Sequence, residues 1–383
     1  MIPSRGTAPA PFPDPVYVTR PLVPDLQTFV AELQGIWDRR WLTNIGPVHD
    51  AFEQALCNYL HFPRLSLVNS GTTALLLALR AYQLSGEVIT TPLTSPATIN
   101  AITWCGLTPV FADVDPVSLT VDPAAFERAV TPRTTAIVGV HVYGMPCDVA
   151  ALQEIASLHG LRVIYDGAHA FGTELAGKPI LEFGDATTLS FHATKLFTTA
   201  EGGAVAVQDD EFKRRIDLLR NLGIQDEATV ALPGINGRMN ELAAALGIAN
   251  LQIVDVERRR REAMSQVYMA RLRGITGLSQ LDVPSDVRGS QQYFVLRIDR
   301  EVCACSRDEL WHRLKAFNVF ARRYFNPLCS NLPFYRDLPS ADPRNLPVAN
   351  RAEQEVLCLP LYGSLGVEAA ARICDIIRHI VRA

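Results

Sequence analysis

Four short segments of this chain carry the residue types that chemistry needs. Ser190-Phe191-His192-Ala193-Thr194-Lys195 ends an apolar run on a lysine. Such a lysine is ordinarily solvent-exposed, but in an apolar pocket or beside other cations its ammonium gives up a proton and becomes a nucleophile. Asp166-Gly167-Ala168-His169 follows the apolar Val163-Ile164-Tyr165, which puts a carboxylate at a strand end. The plain alternative there is a capping aspartate and a histidine satisfied in the core. Ser70-Gly71-Thr72 stands between a strand-like run and a helix-like one. Free N–H groups at a helix N-terminus bind phosphate, and glycine lets it come close. Serine and threonine are also ordinary N-caps. Glu201-Gly202-Gly203-Ala204 is a tight turn into a further strand.

Together these residues meet the needs of pyridoxal 5′-phosphate. Its aldehyde requires a lysine for a Schiff base. Its pyridine nitrogen requires a carboxylate, so that the ring can accept electrons. Its phosphate requires hydroxyls and a helix N-terminus. Asp166 precedes Lys195 by 29 residues, room for one excursion and a return strand.

The elements that must position these groups follow from the apolar pattern. Helical spacing runs from Leu26 through Phe29, Leu33, Ile36 and Trp37, and again through Phe52, Leu56 and Tyr59. Short apolar runs at 65–68, 88–91, 109–112, 136–140, 162–166, 189–191 and 204–207 then alternate with helices at 72–82, 96–105, 123–130 and 148–159. That alternation predicts an α/β fold, with a mostly parallel sheet covered by helices on both faces and ligands at the carboxyl ends of the strands. From Met239 one long helical pattern carries Leu242, Leu246 and Leu251 toward Met264 and Tyr268, and reads as a bridge to a smaller α+β C-terminal domain. The division is residues 1–250, an N-terminal arm and a large domain, and residues 251–383. The smaller part shows a strand at 293–298, a helix at 307–317, a Pro-rich loop at 327–347 and a closing helix at 367–381.

Composition removes several classes. Of 383 residues, 48% are hydrophobic and 20% charged, with a formal net charge of -4. A nucleic-acid binder would carry a basic excess. The Arg258–Arg261 run reads as a solvated helix face. No window approaches the ~20 apolar residues of a membrane span. The start, MIPSRGTAPAPFPDP, has no apolar core of a signal peptide and reads as a flexible arm. The 8 cysteines lack metal-ligand spacing and read as reduced, mostly buried thiols of a cytoplasmic protein.

The motifs WLTNIGP, NSGTTALLLAL, DVDPVSLTVDP, YDGAHAFG, LSFHATKLFTTAEGGA, GINGRMNELAAALG and RRYFNPL resemble those of the DegT/DnrJ/EryC1/StrS family of sugar aminotransferases. The resemblance runs from about Tyr17 to the C-terminus and implies the fold type I architecture of pyridoxal-phosphate-dependent transferases. Carried over position by position, it implies that Lys195 is the Schiff-base lysine and that Asp166 pairs with the pyridine nitrogen. His169 would bond near the ring oxygen. Gly71, Thr72 and Ser190 would hold the phosphate. Asn236 would come from the neighbouring subunit of a homodimer with shared active sites, although Asn-Gly is also a favoured turn pair. No metal is implied.

The implied reaction moves an amino group, with glutamate as donor, onto a nucleotide-linked keto-deoxysugar. SFHATKLF resembles members acting at C4 of a dTDP-4-keto-6-deoxyhexose, whereas C3-acting members more often carry SFYPxKNLG. The alternatives are a C3-acting enzyme, a pyridoxal-phosphate-binding regulator without turnover, and an α/β protein with no cofactor. Three positions depart from the family pattern: Ser95 stands where an aromatic residue is common, Ala200 where glycine is usual, and Tyr324-Phe325 where His-Tyr is common. Arg322, Arg323, Tyr324, Asn326 and Tyr335 are candidates to line the sugar-diphosphate mouth, against the alternative of surface arginines. Lys178, a second lysine to weigh, reads as part of an exposed hairpin loop.

Overall fold

The computed structural model describes residues 9–382. The chain enters through β1 (Val16–Tyr17), α1 (Leu26–Arg39) and α2 (Pro47–Leu60). It then alternates β2 (Leu65–Val68), α3 (Gly71–Ala81), β3 (Glu87–Thr90), α4 (Pro96–Trp104), β4 (Thr108–Phe111), α5 (Pro123–Arg128), β5 (Thr134–Val140), α6 (Val149–His159) and β6 (Arg162–Asp166). A small hairpin, β7 (Glu174–Leu175) and β8 (Lys178–Pro179), leads to β9 (Ala186–Ser190), β10 (Gly203–Val207) and α7 (Asp210–Arg220).

Seven of these strands form one sheet in the order β2-β10-β9-β6-β5-β3-β4. The pairs from β9 to β4 are all parallel, and β10 runs antiparallel to both of its neighbours. Both faces of the sheet are covered, so its strands are buried along most of their length: β2 and β10 are mainly Val, Leu and Ala, and β9 buries Thr187 and Thr188 beside Leu189. Phe52, Phe126, Phe191 and Phe197 lie in the core on one side, and Leu75, Leu79, Val88 and Ile102 in the core on the other. The expected mostly parallel sheet is present, and β5, β6 and β9 end together at Val140, Asp166 and Ser190.

The remainder holds α8 (Glu241–Leu251), α9 (Val254–Leu272), β11 (Leu278–Gln280), β12 (Val287–Arg288), β13 (Phe294–Ile298), α10 (Arg307–Lys315), β14 (Val319–Phe320), α11 (Pro347–Glu355), β15 (Val356–Leu359) and α12 (Val367–Arg382). β13 pairs antiparallel with β11 and β15, and its core is shared with Met264, Tyr268, Leu310, Ile373 and Ile377. Among the described residues no helix is long and apolar enough to cross a membrane. The eight cysteines are free thiols, six of them buried.

Several expectations are corrected. The long helix from Met239 is two helices. The Ile253 N–H bonds to the Asn250 carbonyl at 3.2 Å, a tightened turn, while the buried Asn250 side chain donates to the Thr198 carbonyl at 2.8 Å. The buried stripe of α8 is Ala244, Ala245, Gly247 and Ala249, and Leu242 faces outward. The small residues win because α2 lies against α8: a Cβ on Gly247 would stand 2.5 Å from the Phe52 ring.

The Arg258–Arg261 run is a solvated face only at Arg259 and Arg260, which are exposed. Residues three apart share a helix side, and Arg258 and Arg261 both turn inward. The fully buried Arg261 donates through Nε to Glu257 Oε1 at 2.7 Å. The arm is also not free from residue 9 onward: Phe12 is buried under the Arg372 guanidinium, and its N–H bonds to the Phe317 carbonyl at 3.0 Å. Residues 1–8 lie outside the described residues. The Pro-rich 327–347 stretch is built of short 3-10 turns ending in α11, and the strand β15 that follows directly on α11 was not read from the sequence.

Candidate active site

A cavity of about 320 Å³ opens at the carboxyl ends of β5, β6 and β9. Lys195, Asp166, His169, Gly71, Thr72 and Ser190 all line it. Asp166 is the last residue of β6, and its carboxylate is held on both oxygens. Thr98 Oγ1 donates to Oδ2 at 2.7 Å, and the Ala168 N–H donates to Oδ1 at 3.0 Å. Thr98 is itself within 2.8 Å of the Thr94 hydroxyl, so the opening of α4 fixes the acid.

Lys195 sits in the turn after β9, where its N–H bonds to the His192 carbonyl at 2.9 Å. Burial pushes its ammonium down to about 8, against the opposing pull of the Asp166 carboxylate. Desolvation dominates, so about a tenth of the amine is neutral at pH 7 and about half at pH 8, far more than for an ordinary lysine. His169 is buried, and its Nδ1 accepts the Tyr143 N–H at 3.1 Å. That bond leaves the proton on Nε2 in the neutral ring. Burial first, and the Lys195 charge second, hold this imidazole well below its usual pKa.

The opposite wall is the start of α3. Ser70 caps the Thr73 N–H at 3.0 Å, and the Ala74 N–H bonds to the Ser70 carbonyl at 3.0 Å. The Gly71 and Thr72 amides precede that ladder, where helical N–H groups lack intrahelical partners. A Cβ on Gly71 would lie 2.7 Å from Ser190 Cβ, so only glycine allows α3 to start against β9. A phosphate-bearing aldehyde fits this lining: helix-start amides beside a hydroxyl, a lysine with a depressed pKa and a fixed carboxylate border one cavity.

The sequence model of the DegT/DnrJ/EryC1/StrS aminotransferase family matches residues 25–378. The chain belongs to this family. It is 42% identical to the dTDP-4-amino-4,6-dideoxy-D-glucose transaminase of Escherichia coli, over 94% of this chain and 97% of that one. It is 34% identical to the GDP-perosamine synthase of Caulobacter vibrioides, over 86% and 88% of the two chains. Among solved structures it matches DesI, crystallised in the presence of its TDP-sugar product, with a TM-score of 0.92 and 36% identity, over 97% and 94% of the two chains. The chain is therefore an aminotransferase with the fold of these enzymes.

Within the family frame, other expected positions fall differently. Asn236 does not line the cavity of its own chain. It is exposed, with its Oδ1 accepting from Arg238 Nη2 at 2.9 Å and its carbonyl accepting from Asn69 Nδ2 at 3.2 Å. Tyr335 is not at the mouth: it is buried, donating to Asn100 Oδ1 at 2.8 Å. Arg323 is engaged by Asp308 at 3.0 Å and lies over the Trp311 ring. Arg322 and Asn326 are exposed and outside the cavity lining. Tyr324 does line the cavity, together with Phe325 and Tyr293.

Ser95 borders the cavity as the N-cap of α4. Ala200 takes φ +66°, the left-handed conformation that explains the usual glycine. Lys178 is exposed in the β7–β8 hairpin. Sequence reading missed Thr98, although it stands only three residues after Ser95, and it missed Tyr293 and Gln292, for which no motif gave a signal.

Proposed function

We propose that this chain transfers an amino group from glutamate to C4 of a dTDP-linked 4-keto-6-deoxyhexose, using pyridoxal 5′-phosphate in the Lys195 cavity. The observation that carries the reading is one cavity pairing a lysine lowered to about 8 by burial with the anchored Asp166 carboxylate. The 42% identical E. coli transaminase, named for an amine at C4 of a dTDP-linked dideoxyglucose, supports the substrate. The TDP-sugar product named for DesI supports the nucleotide-linked class.

When bound, pyridoxal phosphate supplies a carbonyl that exchanges with amines and a ring that takes up electrons. Lys195 anchors it covalently. With the donor bound, the Lys195 amine would serve as the base that takes the proton from the donor's α-carbon and as the acid that returns it, and it would act in the opposite sense for the ketosugar. Asp166 keeps a proton on the ring nitrogen. His169 offers its Nε2–H toward the ring oxygen without adding charge. The Gly71 and Thr72 amides and the Ser190 hydroxyl hold the phosphate. Tyr293, Tyr324 and Phe325 exclude water along one wall.

The working unit is a homodimer, in which the partner subunit's Asn236 completes the phosphate cradle. An uncovered apolar surface supports this. Leu26, Val30, Trp37, Trp41 and Leu42 are exposed along and after α1, and Leu222, Ile224, Val230, Ile235 and Leu242 are exposed around the Asn236 loop. The Glu241 N–H bonds to the Leu42 carbonyl, which makes these two groups neighbours.

The test is a donor half-reaction. Protein loaded with pyridoxal phosphate and mixed with glutamate alone is expected to release 2-oxoglutarate up to one equivalent per chain. Release of none overturns the aminotransferase reading with this donor.

A further inference from the structure

We propose that Gln292 is a positioning residue for Lys195. The proposal rests on the reading of Lys195 as the cofactor lysine. The Gln292 side chain is buried, 1% exposed, just ahead of β13. Its Oε1 accepts the Leu196 N–H at 2.6 Å, and its Nε2 donates to the Thr194 carbonyl at 3.0 Å. Those two backbone groups belong to the residues on either side of Lys195. One amide therefore grips the backbone before and after the lysine, from a segment almost a hundred residues away.

The neighbours of Gln292 extend the grip. Ser290 Oγ donates to the His169 carbonyl at 2.5 Å and accepts the Gln292 N–H at 3.3 Å. The Tyr293 ring meets the His169 ring edge-on at 5.1 Å and lines the cavity. The stretch 290–293 thus ties the lysine turn and the histidine to the C-terminal part of the molecule.

The chemistry of the side chain explains the choice. A primary amide carries both donor and acceptor, matching one carbonyl and one N–H. A hydrocarbon of the same length would leave both buried backbone groups unpaired. Lys195 reaches its target through four rotatable bonds, so the lysine amine inherits any drift of the turn. A displacement near 1 Å in a reacting group costs ~100-fold in rate.

The experiment uses the full-length protein loaded with pyridoxal phosphate, comparing wild type with Gln292→Met and Gln292→Asn. Gln292→Met keeps the length and removes both bonds. Gln292→Asn keeps the amide but is one methylene short of spanning both. Three quantities are read: the pH midpoint of the visible absorbance of the lysine-bound cofactor, the maximal rate and half-saturating glutamate concentration of the donor half-reaction, and the Tm. For Gln292→Met we expect a midpoint moved by ~0.5 units or more and a maximal rate ~10- to 100-fold lower, with the glutamate concentration dependence within about threefold of wild type. Gln292→Asn is expected between the two. Gln291→Met, which removes only the neighbouring contact to Ser265 at 3.1 Å, is expected to keep the wild-type midpoint.

A folded Gln292→Met with a lowered Tm but wild-type midpoint and maximal rate would overturn the proposal and leave Gln292 a packing residue. Should Gln292→Met not fold, Gln292→Asn decides by the same criteria. A separate arm guards the underlying reading. If borohydride fixes no cofactor on Lys195 of the wild type, the function fails, and not merely this refinement of it.

Discussion

Lys195 is where burial and charge meet. Desolvation lowers its pKa from the usual 10.5 to about 8, and the Asp166 charge limits the fall. The sign has two consequences. Capture of pyridoxal phosphate by the apoprotein needs the neutral amine, so its rate should rise with pH and level off above about 8. A stopped-flow pH series checks this, and a rate flat from pH 6 to 9 would contradict it. Protonated Lys195 is also less stable folded than unfolded. Its cost is full below the folded pKa and disappears as pH rises from about 8 to 10.5. Apo Lys195→Met should therefore melt above wild type at pH 7, with the difference shrinking in that window. Asp166→Asn should retain part of the cofactor affinity but slow the donor half-reaction by ~10²- to 10⁴-fold, because the ring nitrogen loses its proton holder. Unchanged single-turnover rates would reduce Asp166 to a capping residue. These groups were legible because each sits beside a strand end that its own segment announces. Thr98 and Gln292 were not, because they act on Asp166 and on the turn around Lys195 from other parts of the chain. Tyr335 and Arg323 misled because an aromatic or an arginine in a loop carries no sign of the partner that engages it.

At the scale of elements, close approach decides what helices can carry. Gly247→Ala drives a methyl into the Phe52 ring across the α2–α8 contact. Overpacking of that kind costs about 1–3 kcal/mol, to be read as a loss in denaturant midpoint. An unaffected midpoint would mean that α8 slides freely. Arg261→Met should be more severe, about 3–5 kcal/mol, since it leaves the buried Glu257 without its cation. The sheet was legible from the sequence because most of its strands keep a short apolar stretch, such as Val163-Ile164-Tyr165 in β6, between helical segments. The break between α8 and α9 was not, since Gln252 and Ile253 carry no glycine or proline to announce it. The inward turn of Arg258 and Arg261 also escaped, because composition counts charges without seeing the spacing that places two of them on one face.

At the scale of the whole molecule, the cavity supplies lysine, acid, histidine and phosphate amides from one chain, while Asn236 points elsewhere. Mixing inactive Lys195→Ala with inactive Asn236→Ala subunits should return about a quarter of wild-type activity. Half of randomly paired dimers are then hybrids, each with one intact site of two. Demonstrated exchange of subunits without recovery would remove the shared-site claim. The measurement that tests the central claim most directly is product analysis by NMR. Loaded enzyme is given dTDP-4-keto-6-deoxyglucose and ¹⁵N-glutamate. A dTDP-4-amino-4,6-dideoxyhexose with ¹⁵N bonded to C4 is expected, and no such product from Lys195→Ala. Nitrogen at C3, or a ketosugar recovered unaminated, would contradict the central claim.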